Sequence, residues 1–170
     1  LGGDLAHGLE LAQHLFLNRK YVGKILILGS EKFYDQTKQA IELLERRDLA
    51  SYQFVNEHLA LIAAFSHSGT NSFLGRGIFL ASEPSISHSP IWYAGVLVHE
   101  ATHVNLYRAR KTWQEKFLPS SALREREEMI CLENQERALR NLGADASTLK
   151  WVREGKHRHY WDVPFLQRDW

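Results

Sequence analysis

LVHEATH (residues 97–103) places two histidines four positions apart, with a glutamate directly after the first. On a helix, positions i and i+4 share one face about one turn apart, so His99 and His103 can present two imidazoles to one ion. The Glu100 carboxylate then reaches water on that ion rather than the ion itself. Zinc lowers the pKa of such a water towards 7, and Glu100 can take its proton. The spacing serves metal-assisted hydrolysis. In a chain with nine histidines, a chance match has a probability of roughly a few per cent. The flanks are uncharged, with AGVLV before the pair and Ala101, Thr102 and Val104 within and after it. Such a helix is buried, and a buried histidine pair needs partners that a metal supplies.

Working outward, the motif predicts a helix over 91–110. Before it, KILIL (24–28), ended by Gly29, predicts a buried strand. Ser30 reads as the N-cap of a helix over 31–47. Residues 52–65 fit both a helical period and alternation. The turn chemistry of SHSGTNS (66–72) and the strand-like GIFLA (77–81) tip the reading towards a strand, making an antiparallel hairpin. Residues 82–90 and WQEKFLPSS (113–121) read as connections. A long helix over 121–142 ends at Gly143, where a glycine cap belongs. Shorter helices are expected over 4–18 and 147–154.

The totals suit one domain, 1–170, with one core. Hydrophobic residues are 44% and charged residues 24%, as in an ordinary soluble globule. A net charge of +1 gives no whole-chain case for nucleic acid. No apolar run approaches the roughly 20 residues needed to span a bilayer. The single cysteine, Cys131, excludes an internal disulfide framework. The first residue is Leu1, so a removed signal or anchor stays open. A cytoplasmic location is the expectation otherwise.

VLVHEATHV (96–104) resembles the signature of the zincin metalloproteases. That resemblance implies a compact α+β domain, with a short mixed sheet packed on the motif helix and a second, ligand-bearing helix. It also implies an edge strand that pairs with extended peptide, and GIFLA (77–81) occupies the matching place in the order of elements. The implied activity is zinc-dependent hydrolysis of peptide bonds in a peptide or protein substrate.

Catalytic zinc usually has three protein ligands and one open position. No histidine follows His103 until His157, so the close third histidine of metzincins is absent. The gluzincin arrangement instead takes a glutamate from a later helix. The helix over 121–142 offers Glu125, Glu127, Glu128, Glu133 and Glu136. Glu128, Cys131, Leu132, Gln135, Ala138, Leu139 and Leu142 form one stripe, on which Glu128 is the acid. EMICLENQ (128–135) is similar to the E-x-x-A/C segment of compact gluzincin-like proteins, whose first glutamate is the ligand. Glu128 is therefore the expected third ligand, with Glu127 second. The other acids, expected in exposed pairs with arginines, and His157 or His159 stay open.

Cys131 lies one turn from Glu128 and reads as a small buried core residue, with a ligand or redox role as the sharper alternative. Tyr107 continues the metal face and is expected to pack. Tyr160, His157 and His159 are candidate oxyanion donors. His7, His14, His58, His67 and His88 carry no assigned role. The rival to the peptidase is a non-catalytic, zinc-stabilised domain, its site closed by His157 or His159 in the fourth position.

Overall fold

The computed structural model describes residues 19–66, 68–71, 76–82 and 86–155. Among them the fold is α+β, a five-stranded mixed sheet with six helices. The expected helix over 4–18, with His7 and His14, lies outside the described residues, as do His67, His157, His159 and Tyr160.

Strands β1 (Lys20–Val22) and β2 (Ile25–Leu28) form an antiparallel pair. The alternating Ile25 and Ile27 of β2, with Leu28, are buried, as an apolar run bounded by turns requires. Ser30 then caps α1 (Glu31–Arg47), its Oγ accepting from the Phe33 N–H. Asp48 caps α2 (Leu49–His58), which runs directly into β3 (Leu59–Ala64). Strands β4 (Gly69–Asn71) and β5 (Gly77–Ala81) complete the sheet in the order β1-β2-β3-β5-β4.

Two expectations change here. Residues 52–65 are not one strand: the helical reading holds up to His58 and the strand reading from Leu59. GIFLA is not one arm of an antiparallel hairpin with that strand. It runs parallel to β3, with Leu61 against Ile78 and Ile62 against Phe79. Its antiparallel partner is β4, taken from the stretch read as a turn. The edge strand on this side is therefore β4, and β5 lies inside the sheet.

The motif helix α3 (Pro90–Ala109) begins with Ser89 as N-cap and proline at its first turn. Every residue from Trp92 to Thr102 is buried, so the helix is apolar almost all round and needs cover on all sides. α1 and α2, strands β4 and β5, and helix α5 (Ser121–Leu142) pack against it. The Thr37 hydroxyl bonds the buried Tyr93 hydroxyl at 2.9 Å, tying α1 to α3. Between α3 and α5, WQEKF is not a plain connection but a short helix, α4 (Trp113–Phe117), with a capping box on Thr112 and Glu115. α5 ends at Gly143, whose φ of 79° is the left-handed conformation glycine adopts freely. α6 (Ala146–Gly155) packs back on α5.

Candidate metal centre

α3 and α5 meet at Gly95. A Cβ there would lie 2.8 Å from Leu139 Cδ2, so the missing side chain is what lets the helices approach. One turn further along α3, His99 and His103 face α5. Their Nε2 atoms are 3.1 Å apart. Glu128 stands against both: Oε2 is 3.5 Å from His99 Nε2, and Oε1 is 3.5 Å from His103 Nε2. Cys131 lies one turn beyond Glu128, and the ligand atoms of His99, His103 and Cys131 are all within 4.8 Å of one another. These three residues form a cluster that could hold a metal ion.

Donor spacing tests the fit. Atoms 2.0–2.1 Å from a tetrahedral ion sit roughly 3.3–3.4 Å from each other. The two imidazole nitrogens, 3.1 Å apart, come close to that spacing, and each has a different oxygen of Glu128 3.5 Å away. His99 also carries its tautomer in its contacts. Gln135 Oε1 can only accept, so His99 Nδ1 donates to it at 3.0 Å. In the neutral ring the lone pair is then on Nε2, the atom that faces the cluster.

Without an ion, the cluster is held by its own charges. Burial pushes the Glu128 carboxyl up, but the charge of His103 and the closeness of both histidine rings outweigh it, leaving the carboxyl well below its usual range. Burial pulls His103 down, yet Cys131 and Glu128 together hold it well above an ordinary imidazole. The Cys131 thiol is pushed up by its burial, against the opposing charge of His103.

Glu100 is buried on α3 beside this cluster, and its Oε2 accepts a hydrogen bond from the Thr70 hydroxyl of β4. The edge strand thus reaches the carboxylate that follows the first histidine. On its other side Glu100 borders a cavity of about 20 Å³, walled by Trp92, Val96, Leu132 and Trp151. That is room for about one water. Trp92 and Trp151 meet edge to face, 4.9 Å between centroids, so α6 forms part of this wall.

The other acids of α5 have different partners. Glu127 is buried in a two-pronged pair with Arg110, Nε to Oε1 at 2.9 Å and Nη2 to Oε2 at 2.5 Å. Glu136 is buried rather than exposed, and accepts from Arg140 at 2.6 Å and Arg153 at 2.7 Å. Glu128 is therefore not the sole buried acid of the helix, but the one that faces the histidines. Tyr107 packs under the Arg110 guanidinium, 5.3 Å from its centre. His58 is buried, its Nδ1 donating to the Phe54 carbonyl and its Nε2 lying 3.2 Å from the Asn105 amide, which places Asn105 away from the cluster.

Two residues of the site carried no role in the sequence. Gln135 was visible on the inward stripe, a polar side chain among apolar ones. Thr70 gives no signal, because SHSGTNS (66–72) has the composition of a turn. No family model, curated protein or solved structure matches this chain.

Proposed function

We propose that the protein is a zinc-dependent peptidase of zincin type, with His99, His103 and Glu128 as metal ligands and Glu100 as general base. The observation that carries this reading is that the His99 and His103 Nε2 atoms lie 3.1 Å apart with a Glu128 oxygen 3.5 Å from each, beside the buried carboxylate of Glu100. When bound, zinc supplies a Lewis acid and an acidified water. The chain supplies the rest. Glu100 takes the proton of the attacking water and returns it to the leaving amine. Thr70 fixes one Glu100 oxygen, and β4 is the edge strand of the described sheet along which an extended peptide would lie. Gln135 holds the His99 ring in its ligating tautomer.

The test is zinc stoichiometry in the parent and in Glu128→Ala, followed by hydrolysis of a mixed peptide library by the parent and Glu100→Gln. About one zinc per chain in the parent, much less in Glu128→Ala, and hydrolysis lost in a zinc-loaded Glu100→Gln are expected. Full zinc in Glu128→Ala removes that residue from the ligand set. A second reading, a zinc-stabilised domain with no hydrolytic role, is favoured by one observation: the Cys131 sulfur groups with the two imidazoles as a further donor beside Glu128.

A further inference from the structure

Cys131 is fully buried, yet it does not sit among hydrocarbon alone. Its sulfur lies within 4.8 Å of a ring nitrogen of each imidazole, and Glu128 lies one turn away on the same face of α5. A buried thiol with no charged neighbours is an inert core residue. Here two imidazoles lie beside it and Glu128 reaches the same two ring nitrogens at 3.5 Å, so the four side chains offer two nitrogens, one oxygen and one sulfur. Tetrahedral zinc takes four such ligands, and a site with four protein ligands is closed to water.

We propose that Cys131 is the fourth protein ligand, so that the resting metal centre is His99, His103, Glu128 and Cys131 and holds no open position. This rests on the metal-binding half of the reading above, but not on peptide hydrolysis. On ligation the sulfur–hydrogen bond breaks, a sulfur–metal bond forms and the proton leaves to solvent. A peptidase with this centre is latent, and becomes active only when the thiolate gives up its place to water.

Cobalt(II) reports ligation directly. The parent chain, loaded with cobalt, is expected to show the visible bands of four-coordinate cobalt together with near-ultraviolet thiolate-to-cobalt charge transfer. Cys131→Ser, with its fold checked by circular dichroism, is expected to keep the visible bands and lose the charge transfer. Four-coordinate visible bands without charge transfer in the parent would overturn the proposal, and this readout needs no variant to fold. A parent that takes up neither cobalt nor zinc brings down the metal reading itself. Peptide hydrolysis, assayed beside the spectra, is expected to rise severalfold in Cys131→Ala. Equal hydrolysis in parent and variant means the fourth position was already open and overturns the closed centre. No hydrolysis in either, with the charge transfer present, removes the peptidase reading and leaves Cys131 as ligand.

Discussion

Gln135 touches His99 through the nitrogen turned away from the cluster. Its removal therefore frees the tautomer and the ring orientation without deleting a donor. Gln135→Leu keeps a similar volume on the buried face and is expected to weaken zinc binding by about 10–100-fold, measured by competition with a chromogenic chelator, while far-ultraviolet dichroism stays unchanged. Unchanged affinity would mean the His99 ring is held by its packing alone. Thr70→Val acts on the other side of the site. It removes the hydroxyl that holds Glu100 and is expected to lower kcat while zinc stoichiometry stays at the parent level. At this scale the sequence was readable where one residue type decided the matter. The histidine spacing named the face, and helical phase set Glu128 on it. Phase could not say that Glu127 and Glu136 are also buried, because Arg110 and Arg153 reach them from other parts of the chain, whose placement depends on the tertiary fold.

Between elements, the close approach of α3 and α5 decides whether the donors meet. Gly95→Ala places a methyl against Leu139, and overpacking of this kind costs about 1–3 kcal/mol. The variant is expected to melt at a lower temperature and to bind zinc less tightly, since a wedge at Gly95 moves α5 away from His99. Loss of stability with full zinc affinity would show that the donors follow α3 rather than the gap. The start of α6 carries a pH response. Asp145 accepts from the Ser147 hydroxyl and the Thr148 N–H, which lowers its carboxyl to about 2. A depressed carboxyl stabilises the fold above its ordinary value near 3.8 and loses that contribution as pH falls towards about 2. Acid titration of tryptophan fluorescence, with Trp151 on this helix, should therefore show a step in that window that Asp145→Ala lacks. Helix ends were legible where caps are local: Ser30 and Gly143 each stand where their chemistry is used. The α2–β3 junction was not. No glycine or proline separates His58 from Leu59, and two periodicities overlap in one apolar run. The break is made from outside, by Arg76, which donates to the Asn56 and Leu59 carbonyls at 2.7 Å.

For the whole molecule, the question is whether the metal makes the fold or uses it. Small zinc domains without a core unfold when the ion is removed. This chain has a core that owes nothing to the cluster: Ile25, Ile27, Ile41, Leu44, Leu59, Ile62, Phe79 and Leu142 are buried between the sheet and its helices. The cluster is also satisfied without an ion, because Glu128 and His103 pair with each other. The metal-free chain is therefore expected to remain folded. Zinc then adds stability only by binding the native state, about 2.7 kcal/mol at a free concentration a hundred times Kd. For a domain of this size that corresponds to a Tm rise of roughly 5–11 °C. Calorimetry of chelated and zinc-loaded protein should show two cooperative transitions separated by this interval, with the interval growing as free zinc is raised. A chelated sample with no transition would mean that the core does not hold without the ion. The centre would then be structural, and catalysis would lose its place in the reading.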